Sequence, residues 1–196
     1  LHDFGFNAWG GKYPPWDRDN AVPAKIAELA KVKRFETGWV LEGGSIDGNG
    51  DGCILTTESC LLNPNRNRGA DGRAVTREDV EQVLADTLGA TDVVWLAEGI
   101  AGDDTDGHID DIARFVALDR VVAAVEDDAS DINHRPLQKN FKCLQAFRGA
   151  QGQAFDVVAL PMPPALVLDG QRCPASYANF YLASNVALVP TFDVPS

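Results

Sequence analysis

The stretch "AGDDTDGHIDD", residues 101–111, gathers five aspartates around one histidine and runs straight into the apolar segment "IARFVAL". A histidine beside a carboxylate is what general acid–base catalysis needs, because the anion steadies the imidazolium and moves its titration toward the working pH. If a strand begins near His108, then His108 and Asp110 stand two residues apart and project from one face into one pocket. Two other chemistries fit the same residues. One is a solvated acidic turn in which the histidine is incidental. The other is a metal-dependent hydrolase, since Asp and His at close spacing can ligate Zn, Mn or Mg.

A second stretch, "DGNGDGCILTTE", residues 47–58, satisfies the calcium-loop pattern of an EF-hand through Asp47, Asn49, Asp51, Gly52 and Glu58. Its flanks are wrong for a helix–loop–helix. Gly38 and the pair Gly43–Gly44 interrupt "RFETGWVLEGGSI" before it, and Pro64 follows within six residues of Glu58. The segment reads instead as a hairpin, with "GWVLEGGSI" and "CILTT" pairing across "DGNGDG". A calcium-binding module using Asp47 to Glu58 is the non-enzymatic alternative.

The elements that must position these residues alternate along the chain. Helices are expected from Ala24 to about Lys33, from the N-cap Thr76 to the stop Gly89, and from Pro136 toward Gly149. Strands are expected in "DVVWLAEGI", "DIARFVALDRVVAAVE", "FDVVALPMP", "ALVLDGQ" and "YANFYLASNVALVP". Strand pairs alternating with single helices make an α/β chain of similar-sized units, with no repeat visible in the letters themselves. Trp9 and Trp39 read as core residues.

The 196 residues suffice for one sizeable domain, and 45% hydrophobic with 23% charged residues is the composition of an ordinary globular one. A net charge of −12 argues against nucleic acid and anionic membranes as partners and suits a cationic small molecule. No apolar run approaches a membrane span. Cys53, Cys60, Cys143 and Cys173 show no C-x-x-C spacing, which points to reduced thiols in a cytoplasmic protein. Leu1 opens directly on an apolar segment and "NVALVPTFDVPS" stops just after a strand-like run, so the chain is expected to be a piece of a longer one.

Taken together, "FNAWGGKY", "LEGGSID", "LLNPNRN", "DDTDGHIDDIARFV" and "PASYANFY" resemble the agmatine deiminase family. That family belongs to the guanidine-modifying pentein enzymes and is related to the bacterial type of peptidylarginine deiminase. The resemblance runs from about Phe6 to Phe192. It implies an α/β propeller of β-β-α-β modules around a central polar pocket, with residues 1–196 forming a single, partial catalytic domain. The implied reaction is hydrolysis of agmatine to N-carbamoylputrescine and ammonia, with no metal or organic cofactor. An arginine or peptidylarginine substrate is the alternative within the same chemistry.

A guanidinium is planar, permanently charged and rich in N–H donors, so coplanar carboxylates are its best partners. In the family a cysteine thiolate attacks the guanidinium carbon, and a histidine protonates the departing ammonia before activating the water that clears the amidino intermediate. By resemblance His108 is that acid–base group, Asp110 a guanidinium-binding carboxylate and Glu42 a second pocket acid. Asp104 and Asn179 are the implied substrate contacts, though each also reads as structural: Asp104 as a turn cap, Asn179 as a buried hydrogen-bonded amide. Two family segments are absent: the C-terminal G-G-x-x-H-C-x-T-Q-Q motif that holds the nucleophile, and an N-terminal W-x-R-D-x-G-P segment with another aspartate. None of the four cysteines follows a histidine, so none is promoted to nucleophile. The chain alone is expected to be inactive and, with strand edges exposed, to be marginal or self-associating.

Overall fold

The computed structural model describes residues 1–69, 71–150 and 152–192. Strand β1 (His2–Gly5) leads through the helical turns α1 (Ala8–Gly11) and α2 (Asp17–Asn20) to helix α3 (Val22–Ala30). Strand β2 (Phe35–Val40) then returns parallel to β1, with His2 opposite Phe35. Two larger units follow. In the first, β3 (Ile46–Gly48) pairs antiparallel with β4 (Cys53–Thr57), and α4 (Glu58–Leu61) and α5 (Arg77–Leu88) carry the chain to β5 (Asp92–Leu96), which lies parallel to β4. In the second, β6 (Ala113–Phe115) pairs antiparallel with β7 (Arg120–Val125), and α6 (His134–Ala146) leads to β8 (Asp156–Pro161), parallel to β7. The two units share one connection, β-β-α-β. Small hairpins complete the chain: β9 (Val167–Leu168) with β10 (Gln171–Arg172), and β11 (Tyr181–Ala183) with β12 (Val186–Leu188).

Local chemistry explains the helices. Thr76 and Asp79 form a reciprocal capping box at the start of α5, and Gly89 closes it in the left-handed conformation at φ 72°. Val80 and Leu84 on its inner face are buried. Helix α6 buries Leu137, Asn140 and Leu144 along one stripe. Helix α3 begins two residues before the expected Ala24 and ends at Ala30, where Lys31 turns left-handed.

Strand β4 is buried along its whole length, because its two faces serve two cores. Cys53 and Leu55 join Val94, Leu96, Ile109, Ile112, Val121, Leu137 and Leu144 in a core that spans both units. Ile54 faces Leu61, Val80, Leu84 and Trp95, with Trp39 packed against that cluster. Trp9 is half-buried, edge-on to Phe6 and Tyr13.

The structure corrects three of the expected strands. The hairpin over residues 47–58 keeps only Ile46–Gly48 on its first arm, because Phe35–Val40 is taken up by β1 and a 3-10 turn, Gly43–Ser45, intervenes. The run "DIARFVALDRVVAAVE" is a hairpin of two strands rather than one. No strand begins at His108: it caps a 3-10 turn, Ile109–Asp111, and β6 starts only at Ala113.

Candidate active site

Three chain segments deliver the chemistry, each in the connection that follows a strand: β2, β4 and β5. Glu42 follows β2 and opens the Gly43–Ser45 turn, where the Ser45 hydroxyl donates to the Glu42 carbonyl at 2.6 Å. Cys60 lies in α4, capped by the Thr57 side chain, which accepts from the Cys60 N–H. The same Thr57 hydroxyl donates to the Gly107 carbonyl at 2.6 Å and so ties down the segment that carries His108.

Within that segment Asp103 is the organiser. One of its carboxylate oxygens accepts from the Thr105 N–H (2.7 Å) and hydroxyl, the other from the N–H groups of Gly107 (2.8 Å) and His108 (3.1 Å). Ile109 and Ile112 then turn into the core while His108 and Asp110 turn the other way.

His108 and Glu42 are both buried, and His108 Nε2 stands 3.0 Å from Glu42 Oε2 across 66 residues of sequence. Hydrogen-bonding to a carboxylate makes Nε2 the N–H of the ring and leaves Nδ1 free when the imidazole is neutral. Nδ1 and Asp110 Oδ2 lie 2.5 and 2.6 Å from the point where a Cβ on Gly44 would stand. The glycine is therefore what lets the backbone close on both groups. Asp110 accepts no hydrogen bond among the described residues, and burial pushes its carboxyl above the ordinary value.

Arg66, in "LLNPNRN", is the residue sequence reasoning passed over. Its guanidinium forks onto Glu42, Nε to Oε1 at 2.9 Å and NH2 to Oε2 at 3.2 Å, and its NH1 reaches Asp106. Burial works to raise the Glu42 carboxyl, but hydrogen bonds from His108 and Arg66 outweigh it and hold it below its ordinary range. The available signal was an arginine set among apolar and amide residues, a setting in which a charge needs a partner.

The other candidates sit apart from this group. Asp104 is exposed, and its carboxylate accepts from the Tyr13 hydroxyl while its carbonyl accepts from Lys12. Asn179 is also exposed, not buried as its structural reading required, and donates to Asp111 at 3.0 Å. Glu42, His108 and Asp110, by contrast, stand together as the three members of one cluster. A concavity of about 580 Å³ lies beside the loop and is lined by Ser59, Glu98, Asp103, Gly107, Asn133 and Arg135 among others, without any of the three.

Neither metal reading of the sequence finds its geometry. Residues 47–58 form a strand–turn–strand, with both oxygens of Asp47 engaged by Arg114 (2.7 Å) and the Phe115 N–H (2.6 Å) and Glu58 paired to Arg77. In the 103–111 run, Asp103 is consumed by backbone and Asp106 by Lys12, Asn65 and Arg66. A set able to hold an ion among the described residues is Glu42, Cys60 and His108, whose ligand atoms lie within 4.8 Å of one another. A dication there would sit against the Arg66 guanidinium, which disfavours it. Burial, and then the Glu42 charge, push the Cys60 thiol far up, so it stays protonated.

All of residues 1–196 match the family described as Porphyromonas-type peptidyl-arginine deiminase. The chain is 37% identical over 217 residues to the agmatine deiminase of Pseudomonas putida, covering 99% of this chain and 58% of that one. Among solved structures it is similar to the agmatine deiminase of Enterococcus faecalis (34% identity, TM-score 0.87, 97% of this chain, 57% of the other). It is similar too to a substrate-bound agmatine deiminase of C. jejuni (36% identity, TM-score 0.86, 98% of this chain, 55% of the other). The chain spans little more than half the length of the relatives it matches.

Proposed function

Because the chain belongs to the Porphyromonas-type peptidyl-arginine deiminase family, we propose that it supplies the acid–base and guanidinium-holding part of a hydrolase acting on a small guanidino compound, agmatine first. The observation that carries this reading is the His108–Glu42 pair, buried and 3.0 Å apart beside Asp110. Glu42 steadies the imidazolium through Nε2, leaving Nδ1 to give a proton to departing ammonia and then to take one from the attacking water. Asp110, uncommitted to protein donors, accepts N–H groups of the planar cation. Asp104 and Asn179 are the proposed outer contacts, Asp104 for the far amine. The attacking thiolate comes from outside residues 1–196, in the closed ring of β-β-α-β modules to which the two described here belong. The setting is a cytoplasmic enzyme of polyamine formation that needs no cofactor.

The test is ammonia release from agmatine by the protein expressed from its complete reading frame, with arginine and a peptidylarginine as competing substrates. His108→Ala should lower turnover by roughly a hundredfold or more, as expected for a lost acid–base group. Unchanged turnover in that variant would show the role to be misassigned.

A further inference from the structure

Arg66 satisfies every donor it has. Its side chain is fully enclosed, and a guanidinium carries five N–H groups in a fixed plane. Nε meets Glu42 Oε1 at 2.9 Å. One NH2 hydrogen meets Glu42 Oε2 at 3.2 Å and the other the Thr105 carbonyl at 2.7 Å. The NH1 hydrogens meet Asn65 Oδ1 at 3.0 Å and Asp106. One edge of the plane thus grips the carboxylate that follows β2, and the other grips the loop that carries His108.

We propose that Arg66 is a positioning residue for the acid–base pair: it fixes the plane of the Glu42 carboxylate so that Oε2 meets His108 Nε2, and it sets the spacing between Glu42 and the 103–108 loop. The inference rests on the function proposed above. A buried ion pair is a poor source of stability, since desolvation offsets most of its attraction. Its value here is geometric. A glutamate side chain left with one partner could rotate its carboxylate away from the imidazole, whereas the forked contact leaves it one orientation. Lysine could keep the charge but not the fork. Lys12, bound to Asp106 Oδ1 at 2.6 Å, braces the far side of the same loop.

The experiment is a double-mutant cycle on the protein from the complete reading frame, with agmatine as substrate and kcat, KM and the pH profile as readouts. Arg66→Lys should lower kcat roughly ten- to a hundredfold, the scale of small misplacements at a reacting centre, with a smaller change in KM. Losing donors to Glu42 should also move the acid limb of the kcat profile to higher pH, a change that a purely structural arginine would not produce. In a Glu42→Gln background the same substitution should cost almost nothing further, because Arg66 acts through Glu42. Additive losses, or an acid limb left in place, would overturn the proposal. Should Arg66→Lys fail to fold, Asp106→Asn, which loosens NH1 together with the Lys12 and Asn65 contacts and leaves the fork onto Glu42 its own partners, is expected to show the same non-additivity with Glu42→Gln, and additivity would again overturn it. Wild-type protein inactive on every guanidino substrate would instead sink the function reading, a distinct result.

Discussion

Gly44 has no side chain, and the site depends on that. Its backbone is not in the left-handed region, so alanine would be tolerated by the main chain; the added methyl would instead collide with His108 Nδ1 and Asp110 Oδ2, at 2.5 and 2.6 Å. Gly44→Ala should therefore leave the circular dichroism spectrum intact while lowering kcat by about a hundredfold. Asp111 offers a test of the electrostatics. Burial is the main cause pushing its carboxyl up to about 6, against the hydrogen bond from Asn179. A carboxyl raised in the folded state favours folding at low pH and loses that contribution as the pH climbs from about 4 to about 6. Asp111→Asn keeps an acceptor for Asn179 and removes the charge. It should stabilise the protein by roughly 1–3 kcal/mol at pH 7.5 and by nothing below pH 4, read from urea unfolding at each pH. A difference independent of pH would contradict the assignment.

Helix α5 is set by its ends. Thr76 accepts from the Asp79 N–H while Asp79 accepts from Thr76, so two orphan N–H groups are satisfied at once. Thr76→Ala should cost about 1 kcal/mol of stability, with the catalytic parameters unmoved because the cap lies far along the chain from Glu42 and His108. Loss of turnover in that variant without loss of stability would mean that α5 does more than cover β4 and β5. The two β-β-α-β units show why no repeat was visible in the letters. What they share is register: Cys53–Thr57 and Arg120–Val125 each run between an antiparallel and a parallel neighbour, yet read "CILTT" and "RVVAAV". Burial on two faces asks for apolar residues without saying which.

At the scale of the molecule, exposed apolar side chains among the described residues include Ile26, Leu29 and Val32 around α3, and Val167, Leu168, Tyr181 and Leu188 on the terminal hairpins. Residues 1–196 expressed alone should therefore self-associate, seen as a concentration-dependent mass by light scattering. They should also release no ammonia from agmatine. Of the four cysteines, Cys60 is the one that touches Glu42, at 3.7 Å, and its buried thiol is held protonated. Water is a poor nucleophile toward a resonance-stabilised guanidinium, and binding without a nucleophile gives no rate. Steady release abolished by Cys60→Ser would refute this and name the nucleophile.

Features that depend on near neighbours were legible in the sequence. The capped helix from Thr76 to Gly89, the Gly-Asx turn over residues 47–52 and the apolar strands all rest on contacts within a few residues, which the order of letters records. The motifs around Glu42 and His108 pointed to the chemistry. The tertiary structure alone decided how the parts meet: that Phe35–Val40 pairs parallel with β1, that His108 sits on a turn instead of a strand, and that Asp104 and Asn179 lie outside the cluster. Arg66 makes the reason plain. A charged side chain stays at the surface unless partners distant in sequence compensate its desolvation, and its partners, Glu42 at a separation of 24 and Asp106 at 40, are brought to it only by the folding of three separate loop segments onto one point.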